Sequence, residues 1–374
     1  MKINVFGDFC CNDASRLHFD DTMTDLLKSS DINVVNFEAP IRTKCSQPII
    51  KSGPLLSQDC KSPSFLEKNN FNVISMANNH IMDYGEDSLR LTMESFHDSL
   101  ICGVGTFQEA YSVKKKVVEN QTVGFLSLVQ YEFGVHNESS QVNRRIGSAW
   151  MLHPCVDEII VKAKEECDFL FILPHAGLEF FQLPLPEIRT LYRHFINMGA
   201  DAVIASHPHV PQNWEIYKDK PIVYSLGNFC FDDECTDKLW YYGLCACLDI
   251  ESKQIELDVK ILHYNREQGV VRFDDDKSII ESLQKMNEIF KNDDCYYSVI
   301  NSKCLEMESV YDKMLEYSGY FRPKIKIYFR LILGMLKRKI FGLPLQSFEL
   351  SHYVNNMRCE THRWVQSRIY ELSK

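Results

Sequence analysis

Through the first two thirds of the chain, short runs rich in β-branched and aromatic residues alternate with stretches of helical period, and this alternation limits the fold more than any other feature of the chain. The β-rich runs are Ile3 to Phe6, Ile32 to Phe37, Asn72 to Met76, Val123 to Val129, Phe169 to Leu173, Ala202 to Ala205 and Ile222 to Ser225. One intervening helix is explicit: Pro186 opens it, Ile188, Leu191, Phe195 and Met198 recur at helical spacing, and Gly199 stops it. Tyr242 to Ile250 and Ile255 to His263, joined by a turn-like Glu251 to Gln254, predict a closing hairpin. Such an order means an α/β fold.

After about residue 265 the pattern turns helical, over Lys277 to Lys291, Lys303 to Tyr317 and Leu345 to Leu372. We therefore expect one α/β domain over residues 1–265 and a helical C-terminal extension over 266–374. Two polar stretches, Arg42 to Ser64 and Gly134 to Ser148, are too long for simple turns, and loops of that length often carry function.

Charge and cysteine usage narrow the setting. With 51 acidic against 41 basic residues the chain is a poor general nucleic-acid binder, because phosphate backbones need a positive surface. Fourteen cysteines scattered without a Cys-x-x-Cys pair read as reduced thiols, and the N-terminus enters a strand pattern without an apolar leader. Both point to the cytoplasm. The most apolar stretch, Ile325 to Met335, is interrupted by Lys326 and Arg330, so a spanning helix of about 20 apolar residues is not expected. Residues 322–339 nevertheless hold seven basic and no acidic residues, interleaved with apolar ones. This segment reads either as an interfacial helix making a peripheral contact with anionic lipid at the inner membrane surface, or as a packed helix with its cations in solvent.

The chemistry gathers at the ends of the predicted strands, where ligands bind in open α/β sheets. The first strand delivers Asp8, the second Asn36 and Glu38, and the third Asn78, Asn79 and His80, followed by Asp83. Two later strands lead to His175 and to the pair His207 and His209. Each alone has an ordinary explanation as a cap, a turn or a hydrogen-bonded histidine. Five strand ends together carrying carboxylate, amide and imidazole groups suit Mn, Fe or Zn rather than a soft thiolate site. Cys245 and Cys247 share one strand face and read as core, while Arg144 and Arg145 are either solvated or a grip for an anionic substrate.

These segments resemble the capsule-synthesis CapA family, the poly-γ-glutamate synthesis branch of the calcineurin-like metallophosphoesterase superfamily. The resemblance covers about residues 1–265. It rests on Gly199 to His209 (Gly-Ala-Asp-Ala-Val-Ile-Ala-Ser-His-Pro-His), Pro221 to Phe229, the Asn36-Phe-Glu38 segment, Asn78 to Gly85, and His175 with Glu179. It implies a four-layer αββα sandwich with two divalent metal ions at the strand ends. Asp8 would bind one metal and Glu38, beside Asn36, would bridge both. Asn79, His175 and His207 would serve the second metal and His209 the first. His80 would be the acid or base near the substrate, oriented by Asp83. Glu179, four residues after His175, reads from its position as an outer partner of the ligands. Where the superfamily has a histidine two residues after the first aspartate, this chain has Cys10, which reads as a buried thiol rather than a ligand.

The resulting expectation is a metal-dependent hydrolase, cleaving phosphoesters of an anionic or polymeric substrate and linked to capsule or exopolysaccharide formation. An amide hydrolase acting on γ-glutamyl linkages through the same site is one alternative. A non-catalytic, polymer-binding assembly factor is the other.

Overall fold

Hydrogen bonding sorts the β-rich runs into two large sheets. The computed structural model describes residues 1–136, 145–252, 254–311 and 354–373. In chain order its strands are β1 (Lys2–Cys10), β2 (His18–Phe19), β3 (Ile32–Phe37), β4 (Val73–Ser75), β5 (Leu100–Cys102), β6 (Val104–Gly105), β7 (Lys114–Val118), β8 (Gln121–Val129) and β9 (Gly147–Ser148). They continue with β10 (Phe169–His175), β11 (Ala202–Ile204), β12 (Trp214–Tyr217), β13 (Lys220–Val223), β14 (Asn228–Phe231), β15 (Tyr242–Glu251), β16 (Gln254–Asn265) and β17 (Val270–Phe273). The helices are α1 (Asp21–Ser29), α2 (Ser62–Lys68), α3 (Gly85–Glu94), α4 (Phe107–Ala110), α5 (Val156–Glu166), α6 (Pro186–Met198), α7 (Lys277–Lys291), α8 (Asp293–Glu306) and α9 (Glu360–Leu372).

The nine-stranded sheet runs β2-β17-β16-β15-β1-β3-β4-β5, with β14 also pairing β1. The six-stranded sheet runs β12-β13-β11-β10-β8-β7, with four parallel strands at its centre and an antiparallel strand at each edge. Alternation along the strands explains how the sheets stack. Ile3, Val5, Ile32, Val34 and Val73 from the first sheet share one buried cluster with Val123, Phe125, Phe169, Phe171, Leu173 and Ile204 from the second. The opposite face of the first sheet, with Phe6, Phe9, Val35, Phe37 and Ile74, packs on Met23 and Leu27 of α1, Leu66 of α2 and Leu89 of α3. Helices α5 and α6 cover the second sheet, burying Ile160, Ala163, Ile188, Tyr192 and Phe195. Each sheet is thus apolar on both faces, and the result is the expected four-layer αββα sandwich.

The described residues divide into two compact units, Met1–Pro48 with Leu55–Asp293, and Ile49–Pro54 with Asp294–Lys374. Strand β17 and helix α7, which follow residue 265, belong to the first. β17 is only four residues long and too short to show in the sequence pattern, yet it extends the first sheet by pairing with β16. In the second unit, α8 and α9 bury Tyr296, Ile300, Cys304, Val365 and Ile369, and the Tyr311 hydroxyl meets His362 Nδ1 at 2.8 Å. The helical run expected from Lys303 instead starts at Asp293 and is interrupted at Met307. Residues 322–339 and Arg144 lie outside the described residues. Among the described residues, no helix is long and apolar enough to cross a membrane.

One irregularity shapes the end of β1. Its register against β3 slips between Phe6 and Asp8, so Gly7 is an extra residue, a β-bulge. There the chain passes so close to β14 that a Cβ on Gly7 would sit 1.8 Å from the Gly227 carbonyl oxygen, the oxygen that accepts from Asp8 N–H at 3.0 Å. A Gly7→Ala variant should therefore lose about 3 kcal/mol or more of stability, read as a lower denaturant midpoint at unchanged m-value.

Candidate metal centre

Side-chain parity along the strands decides which groups reach the gap between the sheets. In β3, Ile32 and Val34 face the second sheet, so Asn36 is next on that face. In β10 the row Phe169, Phe171, Leu173 ends in His175. In β1, Phe6 and Phe9 both point to the helix layer although three residues apart, which the Gly7 bulge permits. The same bulge turns Asp8 away from the helices and toward Asn36, His175 and His209.

The remaining groups sit on turns held by their own hydrogen bonds. Asn78 Oδ1 accepts from the backbone N–H of His80 and Ile81, while its amide donates to the Phe37 carbonyl; this builds the turn that presents Asn79 and His80. His207 and His209 have backbone φ of 104° and 59°, a region costly for non-glycine residues and kept where surrounding structure enforces it.

The structure brings all the site residues expected from the sequence into one buried neighbourhood. Asp8, Asn36, Glu38, Asn79, His80, Asp83, His175, His207 and His209 are all buried. Around His175 Nε2 lie Asn79 Oδ1 at 3.0 Å, His207 Nδ1 at 3.1 Å and Glu38 Oε1 at 3.3 Å. His209 Nδ1 lies 3.3 Å from Asp8 Oδ2 and 2.9 Å from Asn228 Oδ1. The Asn36 amide nitrogen donates to Asp8 Oδ1 at 2.8 Å and Glu38 Oε2 at 2.5 Å, clamping the two carboxylates together. Two sets of donor atoms are close enough to share an ion: Asp8 with Glu38 and His175, and Glu179 with His207 and His209. Beside them His80 Nδ1 meets Asp83 Oδ2 at 2.8 Å, and the same oxygen accepts from Leu56 N–H at 2.7 Å, an anchor supplied by the long polar loop after Arg42.

Other groups behave differently. Cys10 packs with Ala39, Phe231 and Trp240, and burial, reinforced by Asp233 and Glu38, pushes its thiol well above the usual range. Arg145 is exposed. Gln130 was not singled out from the sequence, yet its amide nitrogen lies 2.9 Å from His207 Nε2. Its place directly after the β8 run was the available signal. Trp240, packed on the His209 ring at 5.0 Å, gave no such signal.

Residues 12–233 match the profile of the family described as "Bacterial capsule synthesis protein PGA_cap". The chain therefore belongs to that bacterial capsule synthesis family. It is 28% identical over 216 residues to the "Capsule biosynthesis protein CapA" of Bacillus anthracis, covering 56% of this chain and 53% of the relative. It is 29% identical over 222 residues to the "PGA biosynthesis protein CapA" of Bacillus subtilis (strain 168), covering 56% of each. The chain thus spans about half the length of the curated relatives it matches. Among solved structures, a putative 5'-nucleotidase from Staphylococcus aureus in complex with alpha-ketoglutarate aligns over 76% of this chain and 58% of its own, at TM-score 0.44 and 15% identity.

The chemistry of the donor set fits a bound divalent cation. Asp8 and Glu38 are fully buried, and among the described residues Glu38 Oε1 has no hydrogen-bond partner, the nearest imidazole nitrogen being His175 Nε2 at 3.3 Å. One buried carboxylate oxygen is thus left without a donor, and a buried uncompensated carboxylate is costly. Without a metal the imidazoles supply the missing charge. Burial disfavours the charged form of His209, but its hydrogen bond to Asp8 and the Asp8 and Glu38 charges outweigh this and raise its pKa to about 10. His175 is raised by the same balance of burial against Glu38 and Asp8. Burial alone would raise Asp8, but the His209 hydrogen bond and the two imidazolium charges leave it lowered. The signs follow from linkage. The raised His209 contributes stability that is fully present below its unfolded pKa of about 6.5 and lost as pH rises through about 10. Asp8 contributes above about 3.8, and its part is lost as pH falls through its lowered value. Chelator-treated protein should therefore show a melting temperature that falls from pH 6.5 to pH 10. Added Mn or Zn should raise it most at the alkaline end, where the imidazoles need not be deprotonated to bind. Calorimetry at stepped pH checks both.

Proposed function

We propose that this chain is a metal-dependent phosphoesterase serving capsule or exopolysaccharide formation. The observation that carries the reading is the buried, hydrogen-bond-poor Glu38 carboxylate among imidazole and amide donors, with a His80–Asp83 pair alongside. A metal-binding role alone would need only the first of these.

Asp8, Glu38, Asn79, His175, His207 and His209 would hold the metal, with Asn36 keeping the two carboxylates in register. Mn, Fe or Zn bound there supplies Lewis acidity and lowers the pKa of water toward about 7. The protein's own groups do the rest. Asp83, which also accepts from Leu56 N–H, accepts from His80 Nδ1 and so sets the ring's tautomer and orientation, with Nε2 as the nitrogen that would exchange a proton with substrate. As water adds to phosphorus and the P–O bond to the leaving group breaks, His80 Nε2 gives its proton to the departing oxygen. Asp83 stabilises the imidazolium before transfer. Asn228 Oδ1 and the Gln130 amide each hold a ring nitrogen, of His209 and His207 respectively, which fixes the orientation of both rings. The capsule setting is carried over from the family and from the capsule and PGA biosynthesis proteins the chain resembles.

Metal content and turnover of an aryl phosphate, a bis-aryl phosphate and poly-γ-glutamate test the reading together. His80→Ala should retain metal and lose about 10²- to 10⁴-fold in kcat on a phosphate substrate. His209→Ala should lose metal as well. Equal activity in wild type and both variants, or turnover of poly-γ-glutamate alone, overturns the phosphoesterase; metal binding without turnover of any of the three favours a polymer-binding assembly factor.

A further inference from the structure

The segment after β10 runs directly against the turn that carries His207 and His209. Ala176 N–H donates to the Ser206 carbonyl at 3.1 Å and Phe180 N–H to the Pro208 carbonyl at 2.9 Å. Gly177 N–H donates to Gln130 Oε1 at 3.2 Å, the residue whose other amide atom lies against His207. Gly177 holds φ at +133°, with Pro208 Cγ 3.1 Å from where a Cβ would be. Phe180 holds φ at 56°, a conformation unfavourable for a bulky residue that persists only where other contacts enforce it. Two strained turns are therefore laced face to face, and Glu179 is the residue between the lacings.

The consequence is that the Glu179 carboxylate, the His207 imidazole and the His209 imidazole each offer an atom within 4.8 Å of the other two. Both rings are buried, whereas Glu179 is exposed, so it approaches from the open side. An exposed glutamate with only solvent to meet needs neither the strained Phe180 nor the glycine before it. Charge points the same way. Asp8 and Glu38 offset only half the charge of two dications, and a third carboxylate brings the remainder closer to neutral. Cys10 is not an alternative donor, because it is packed in an apolar cluster.

We infer that Glu179 is a metal-ligating carboxylate, completing with His207 and His209 a second donor triad beside Asp8, Glu38 and His175. This rests on the metal-dependent reading above and adds to it a ligand and its place.

The test uses the full chain with Mn(II) and Co(II). Equilibrium dialysis should show that Glu179→Gln, with wild-type circular dichroism and melting temperature in chelator, loses one of two bound metals or binds it more than about 100-fold more weakly, beyond the usual cost of removing an outer hydrogen-bond partner. Glu179→Cys loaded with Co(II) should gain a thiolate-to-cobalt charge-transfer band absent from the cobalt-loaded wild type, whose native cysteines serve as the control. Unchanged metal stoichiometry and affinity in Glu179→Gln together with no new band in Glu179→Cys overturns the assignment while leaving the metal centre intact. A wild type that binds neither metal overturns both.

Discussion

The first unit is organised around two buried carboxylates. Asp8 and Glu38 lie side by side, clamped by one asparagine amide, and among the described residues Glu38 Oε1 has no hydrogen-bond partner. In an apolar interior such a group is tolerated only if a positive charge is present. The metal-free chain meets that demand by keeping His175 and His209 protonated beyond their ordinary range. A dication meets it better, since it interacts with several donors at once and leaves the imidazoles neutral to act as ligands.

The sandwich exists to hold that arrangement where water cannot dissolve it. The donors come from both sheets, so the centre is closed only when the apolar rows of Val5, Val34, Phe171 and Leu173 pack between them. Any slip of one residue in β3 or β10 would exchange Asn36 or His175 for a core residue and expose the opposite row. The polar site and the apolar core therefore enforce the same register. In β1 the two demands conflict, because strict alternation would point Asp8 into the Phe6 and Phe9 layer. The Gly7 bulge resolves it, and only glycine fits beneath the Gly227 carbonyl.

Much of this could be read from the sequence, for physical reasons that differ by element. The strands leading to Asp8, Asn36, His175 and His207 are nearly continuous apolar runs, as buried parallel strands must be, so their ends, and the polar groups placed there, stand out. Helix α6 declares itself through Pro186 and Gly199. What stayed hidden is set by tertiary contact. The bulge at Gly7 depends on β14, a strand more than 200 residues away that is four residues long. Gln130 and Trp240 act through side chains that meet His207 and His209 only after the sheets close. The strain at Phe180 has no signature in a single residue's identity.

The layout also separates two tasks that share one residue type. The histidines facing the carboxylates are raised by them, so each holds a proton that a cation would have to displace, and a group raised in this way is a poor proton donor near neutrality. His80 lies on a different turn, and its carboxylate partner Asp83 belongs to that same turn and accepts from Leu56 N–H. A site that only stored a metal would have no use for this separation, and a site that only bound polymer would have no use for either pair. Their coexistence within one buried neighbourhood is what supports the catalytic reading proposed above.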